Sequence, residues 1–318
     1  MFTEKLSLGI DTSNYKTSVA VVDGEGNILF NAQEFLDVKK GERGLRQSDA
    51  FFQHVKKLPH IISKAISDKE IRNNIGCIAV STRPRPVEDS YMPVFMAGES
   101  FAGVLASSLN VPGFEFSHQE GHIEAVRYYS PLNESDPFIS FHFSGGTTEA
   151  ILVNRKEEIF EIVGGSRDLA YGQVLDRIGV SLGMSFPCGA EMDSITQGRS
   201  CQIKNNHLTK IKVIDGYVNL SGIETQAQRL LDQVSSEEII FELFQKLSSS
   251  ILEMTIQLSE KHGINKFLYA GGVSSSAYIK HYLLSNKPHN LQLFFADSKL
   301  ASDNAIGIAL LGGKKIWP

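Results

Sequence analysis

An α/β fold made of two domains of like topology is what this chain predicts, and three observations carry the prediction. Short apolar runs bounded by small polar turns alternate with segments of helical periodicity, the pattern of strands joined by crossover helices. One unit, strand, small-polar turn, strand, hairpin, strand, occurs twice about a domain's length apart. The 318 residues, 42% hydrophobic and 21% charged, suit two sizeable cores and exclude wholesale disorder, collagen-like or coiled-coil architecture.

Residues 6–10 read as a buried strand, the polar turn Asp11-Thr12-Ser13-Asn14 follows, and 17–22 return as a second strand. The turn-rich 23–27 predicts a hairpin into a third strand at 28–32. Apolar residues recur at helical spacing over 48–67, with a kink or break expected at Pro59. A strand at 75–81, a rigid Arg83-Pro84-Arg85-Pro86 loop and a small-residue helix at 95–109 complete the first half. The second copy opens with a strand at 138–143, the turn Ser144-Gly145-Gly146-Thr147-Thr148, and strands at 150–153 and 159–163. Helices are expected at 171–183, 236–262, 274–284 and 303–311, and a strand at 267–270. Pro131 and Pro137 bracket a polar stretch, which sets the domains at 1–133 and 134–318.

Thirty-one Lys and Arg against 36 Asp and Glu leave a net charge of −5, so a nucleic-acid partner would need a local basic patch or a helper protein. Such clusters exist at Lys39, Lys40, Arg43 and Arg46 and at Arg83 with Arg85, although charge runs usually mark solvated faces. Cys77, Cys188 and Cys201 form no C-x-x-C pair, which argues against a disulfide framework or a cysteine-rich zinc site. Neither a signal peptide nor a membrane-length apolar run is present, so a cytoplasmic protein without a membrane partner is expected.

Three constellations can carry chemistry. His118 and His122, in Ser117-His118-Gln119-Glu120-Gly121-His122, stand four residues apart on one helical face, where both imidazoles can grip one metal ion. Two partly exposed helix histidines would look the same. A zincin protease needs Glu directly after the first histidine, and Gln119 stands there. Asp303 offers a third ligand or a helix cap, and His142 is a ligand or a buried, hydrogen-bonded histidine.

The second constellation is a set of glycine turns after buried strands: Ser144-Gly145-Gly146, the loop ending at Gly189, and Gly271-Gly272-Val273-Ser274-Ser275-Ser276. With Asp11-Thr12-Ser13 they favour a nucleotide or phosphate ligand, because bare backbone amides can approach an anion closely. No Walker-type P-loop is present. Third, Gly172, Asp176, Gly179 and Gly183 share one helix face, which suits a close backbone or a flat ligand and leaves Asp176 for ribose hydroxyls or for the rim.

Together, His118-Gln119-Glu120-Gly121-His122, Ser144-Gly145-Gly146, Gly271-Gly272-Val273 and Ser302-Asp303-Asn304 resemble the Kae1/TsaD/Gcp family over essentially the whole chain. That family was formerly labelled O-sialoglycoprotein endopeptidase, peptidase family M22. Gly9-Ile10-Asp11-Thr12-Ser13 looks like its first phosphate loop, and Leu220-Ser221-Gly222-Ile223-Glu224-Thr225 echoes its F-S-G-L-K-T. The resemblance implies two actin-like (ASKHA, ribonuclease H-like) domains facing a central cleft. It also implies transfer of a threonylcarbamoyl group from threonylcarbamoyl-AMP to the adenosine beside the tRNA anticodon, with helper proteins of the bacterial pathway.

By position it implies one divalent metal, iron or zinc, on His118, His122 and Asp303, with His142 where archaeal-type members have Tyr. The adenine nucleotide would meet Asp11, Ser13, His142, Phe143, Ser144, Gly145, Gly146, Asp176, Gly189, Asp193, Gly271, Gly272 and Ser276. The family's acidic pair is Tyr15-Lys16 here, its D-D-A is Asp168-Leu169-Ala170, its G-G-P loop is Cys188-Gly189-Ala190, and the Asn of G-G-V-x-x-N is Ser276. These departures mark a divergent paralogue, and the competing expectation is a degenerate nucleotide-binding scaffold. A metallopeptidase stands third, and carbamoyl transfer to a small molecule is a further variant.

Overall fold

Apolar alternation in the first strands decides which elements cover which face. The computed structural model describes residues 5–13, 15–38, 45–87, 89–133, 135–154, 159–197, 206–296 and 305–317. Two compact units divide the chain, residues 1–129 with 302–318, and residues 130–301.

In the first unit, β1 (Leu6–Asp11), β2 (Lys16–Val22) and β3 (Ile28–Phe35) form an antiparallel meander. Strands β4 (Ile75–Arg83) and β5 (Gly113–Ser117) add in parallel beside β1, giving the order β3-β2-β1-β4-β5. Four helices fall between these strands or follow them: α1 (Gln47–Ala65), α2 (Lys69–Asn74), α3 (Phe95–Leu109) and α4 (His118–Tyr128). Leu6, Leu8 and Ile10 pack with Leu58, Ile61 and Ile62 of α1 and with Ala97 and Ala102 of α3. The alternate residues Ser7, Gly9 and Asp11 point to the other face.

That other face carries the closing helix. A Cβ at Gly9 would lie 2.5 Å from the Ala305 carbonyl and 2.6 Å from the Ala309 amide, so only glycine lets α10 (Ile306–Gly313) rest on β1. The sequence reading carried the second domain through residue 318, whereas this helix belongs to the first unit. Its Ala309 and three glycines make a flat surface suited to lying on a sheet.

Pro59 sits inside α1, which runs unbroken through it. The proline is solvent-exposed, so water can satisfy the carbonyl that its missing N–H leaves behind.

The second unit repeats the plan. β6 (Phe138–Phe143), β7 (Thr148–Asn154) and β8 (Ile159–Ser166) make the meander. The later strands are β9 (Val213–Ile214), β10 (Tyr217–Val218), β11 (Lys266–Ala270) and β12 (Gln292–Phe295). Their order is β12-β11-β6-β7-β8-β10-β9, with β11 parallel to β6 as β4 is to β1. Removing the β10–β9 extension leaves the first unit's topology. The helices are α5 (Tyr171–Ser181), α6 (Gly189–Gln197), α7 (Ser221–Leu230), α8 (Ser236–His262) and α9 (Ala277–Asn286).

Ser235 caps the amide of Glu238 and left-handed Gly263 ends α8, whose Leu243, Phe244, Leu247 and Ile251 are wholly buried. Phe141, Phe143 and Tyr269 stack across β6 and β11 beneath these side chains. Among the described residues no helix is long and apolar enough to cross a membrane.

Candidate active site

The paired histidines stand at the start of α4, and local chemistry sets the helix there. Ser117 caps the Glu120 amide at 3.1 Å while the Glu120 carboxylate accepts from the Ser117 amide at 2.7 Å, a reciprocal capping box. Arg83 approaches the same carboxylate at 4.0 Å. Glu120 thereby holds the helix start. Gly121, between the histidines, is where α10 crosses: a Cβ there would meet Ile308 at 2.7 Å, and one on Gly307 would lie 1.8 Å from the Gly121 carbonyl. Behind the crossing, buried Glu124 takes hydrogen bonds from Arg127 at 2.7 and 3.0 Å and from Lys314. Burial raises the Glu124 carboxyl, and those cations overcome it, so the net shift is downward.

With the helix held so, His118 Nε2 and His122 Nε2 stand 2.9 Å apart, their rings edge to face. An ion about 2.05 Å from both nitrogens would see them roughly 90° apart, so opening the pair by about 0.4 Å would bring them to the tetrahedral angle. The donor set therefore fits a divalent transition metal. Asp303 lies outside the described residues, and among these no group of three or more metal-ligating side chains is gathered.

Asp11, at the end of β1, is fully buried on the same face. Its Oδ1 accepts from His118 Nδ1 at 3.0 Å and from Ser81 Oγ, and its Oδ2 accepts from Ser13 Oγ at 2.9 Å. Thr12 fastens the turn to α3, donating to the Val94 carbonyl at 3.1 Å and accepting from the Gly98 amide at 3.3 Å. The sequence reading gave Asp11 and Ser13 to a phosphate loop; here both side chains are turned inward. Lys16 reaches Gln33 at 3.4 Å and lies 4.7 Å from the Phe35 ring centre. Ser81 and His54 escaped the sequence reading. Each is a buried polar group among apolar neighbours, which was the available signal. His54 shares a 2.8 Å hydrogen bond with Thr17, and burial above all pushes its imidazole down to about 4.

The second unit holds the glycine turns. Ser144 Oγ accepts from the Thr147 amide at 2.9 Å and the Gly146 amide at 3.3 Å, folding the turn around its own hydroxyl. The face of α5 supports it: Gly172 admits the Ser144–Gly145 backbone, which a Cβ would meet at 2.5 Å, and Gly179 admits Cys188 at 2.3 Å. Between them, Asp176 Oδ1 accepts from the Cys188 amide at 2.8 Å, and its Oδ2 would lie 3.9 Å from a Cβ on Gly145. Burial raises the Asp176 carboxyl and the Cys188 amide opposes it.

Glycines here fall into two kinds. Gly271 has φ +91° and packs on Phe143, so the fold itself requires it. Among the described residues, chain neighbours aside, no atom lies within 4 Å of a Cβ added at Gly146, Gly189 or Gly272, so packing there does not demand glycine. Each of the three leaves its backbone bare, the condition under which amides can approach a phosphate or ribose.

The Phe143 ring lies in the core against Tyr171 and leaves only its backbone for a ligand. Asp193 accepts from Ser276 Oγ, from the amides of Ala277 and Tyr278 and from Gln197, so it caps α9, and Ser276 is spent with it. His142 is buried on β6, opposite Glu149 of β7 and Ala270 of β11. Lys39, Lys40 and Arg43 lie outside the described residues.

Fold and site define an actin-like α/β protein. Solved chains of that class superpose over nearly the whole length: a (R)-2-hydroxyglutaryl-CoA dehydratase component A from Acidaminococcus fermentans matches at TM-score 0.58 and 15% identity, covering 99% of this chain and all of that one. A ROK family glucokinase from Streptomyces griseus, solved with glucose and AMPPNP, matches at 0.55 and 14%, covering 97% and 99%. HypF from T. kodakarensis gives 0.61 and 13%, covering 98% of this chain and 47% of its own.

Sequence comparison narrows the class. The TsaD family model, tRNA N6-adenosine threonylcarbamoyltransferase, matches residues 31–310, and the chain belongs to that family. Proteins of that name from Neorickettsia sennetsu and Thermosipho melanesiensis are 30% identical over 311 residues and 28% identical over 312. Each alignment spans 96% of this chain, and they cover 92% and 94% of the two relatives.

Proposed function

We propose that this protein transfers a threonylcarbamoyl group from threonylcarbamoyl-AMP to the exocyclic amine of the adenosine beside a tRNA anticodon, in the cytoplasm and with helper proteins of the bacterial pathway. The observation that carries the reading is the 2.9 Å approach of His118 and His122 Nε2 on the H-x-E-G-H helix of a chain matching the family along residues 31–310.

His118 and His122, with Asp303 as third ligand and His142 as a further candidate, would hold one divalent ion, iron or zinc. The chemistry such an ion supplies is Lewis-acid polarisation of carbamoyl or phosphate oxygens. The bare backbone at Gly145, Gly146, Gly189 and Gly272 supports an adenylate in the second unit, with Asp176 Oδ2 turned to the turn's side to accept from ribose hydroxyls. The Gly145 amide would stabilise charge developing on the carbamoyl oxygen. In the transfer, the adenosine amine forms the new C–N bond, the carbamoyl–phosphate C–O bond breaks, AMP leaves, and the amine gives up one proton.

A scaffold that binds nucleotide without turnover is the rival reading. It draws on Asp193 and Ser276 being bound to one another. Label transfer separates the two. Protein supplied with labelled threonylcarbamoyl-AMP, helper proteins and unmodified tRNA should label the tRNA, and His122→Ala should lower the rate at least about 100-fold. Adenylate binding without label transfer would leave the scaffold.

A further inference from the structure

We infer that Asp11 is the positioning residue of the histidine pair: it fixes the tautomer and direction of the His118 ring so that Nε2 keeps its lone pair facing His122. The inference rests on the metal role proposed above and assigns Asp11 to the imidazole rather than to a phosphate.

The argument begins with burial. Asp11 is 0% exposed, and a carboxylate so placed must be compensated by hydrogen bonds within the protein. Among the described residues the Ser13 and Ser81 hydroxyls and the His118 ring each donate to this anion, which can only accept. In the neutral ring, Nδ1–H given to Asp11 at 3.0 Å leaves the other nitrogen unprotonated. That nitrogen is the one 2.9 Å from His122 Nε2.

Backbone geometry makes the arrangement stiff. Asp11 ends a wholly buried strand, Ser81 belongs to the neighbouring parallel strand β4, and Thr12 anchors the following turn at both of its hydroxyl contacts. His118 is the first residue of α4, held by the Ser117–Glu120 capping box. Carboxylate and imidazole thus meet from two elements fixed independently, the arrangement by which outer partners orient metal-binding histidines and raise their basicity. A carboxylate enclosed in this way acts through the ring it holds.

Two measurements test the inference. Nitrogen–proton NMR of the imidazoles in the chelator-stripped wild-type protein should find His118 protonated on Nδ1; a ring protonated on Nε2 alone overturns the inference without any variant. Zn2+ titrated calorimetrically into stripped wild type, Asp11→Asn and His122→Ala should bind at least about 10-fold more weakly to Asp11→Asn, within the 10–100-fold that outer partners control. The Asn variant should also redistribute the His118 tautomer while its far-ultraviolet circular dichroism stays that of wild type. Affinity within twofold of wild type in Asp11→Asn, alongside loss in His122→Ala, overturns the role of Asp11 alone. Undiminished binding in His122→Ala overturns the metal reading itself.

Discussion

After their first strands the two units carry turns of opposite character. In the first, Asp11, Thr12 and Ser13 are buried, and their side chains are bound to His118, Ser81, Val94 and each other. In the second, the corresponding turn exposes Gly145 and Gly146 with nothing but backbone. The strand orders are the same around both turns, β3-β2-β1-β4-β5 and β8-β7-β6-β11-β12. Topology therefore sets where a turn emerges, and residue type sets what it does. The enclosed carboxylate is hydrogen-bonded to a neighbouring imidazole, whereas the bare turn leaves its backbone open.

The comparison breaks hardest where glycine is structural. Gly307→Ala would drive a Cβ into the Gly121 carbonyl and should cost at least about 3 kcal/mol of stability, read from the denaturation midpoint, because backbone on both sides cannot yield. Survival of that variant at wild-type stability would mean that α4 and α10 do not cross as described.

Next in size is a pH effect confined to the first unit. His54 titrates near 4 in the folded protein and about 6.5 when unfolded, so between those values the unfolded chain binds a proton that the folded chain refuses. Stability should fall as pH drops through that window, by up to about 3 kcal/mol, and His54→Gln should flatten the slope. Urea midpoints at pH 7 and 4.5 measure it.

Smaller effects sharpen the second unit's half. Asp176→Asn should weaken binding of an adenylate analogue about tenfold in calorimetry, through the lost ribose acceptor. Gly146→Ala should weaken the same binding by a similar factor yet shift stability by no more than about 0.5 kcal/mol, because the added Cβ meets no atom of the described residues within 4 Å. A large stability loss there would make Gly146 structural, like Gly271.

Much of this was legible in one dimension. Apolar runs located β1, β4, β6 and β11, the 95–109 and 236–262 helices have the expected bounds, and spacing alone paired His118 with His122. What escaped depends on long-range register. Asp11 meets His118 across 107 residues and Ser81 across 70, and no local pattern ties them. Nor does the sequence reveal that α6 delivers Asp193 to Ser276, 83 residues on. The closing helix was assigned to the nearer domain because sequence adjacency cannot reveal that Gly9 opens a seat for it on β1.

The most direct test of the whole account is a crystal structure of the protein grown with Zn2+ and a non-reactive threonylcarbamoyl-adenylate analogue. The account predicts an anomalous-scattering peak bonded to Nε2 of both His118 and His122, with Asp11 still on the far nitrogen of His118, and the adenylate seated on the Gly145–Gly146 turn. A peak elsewhere, or an adenylate bound away from that turn, would contradict it.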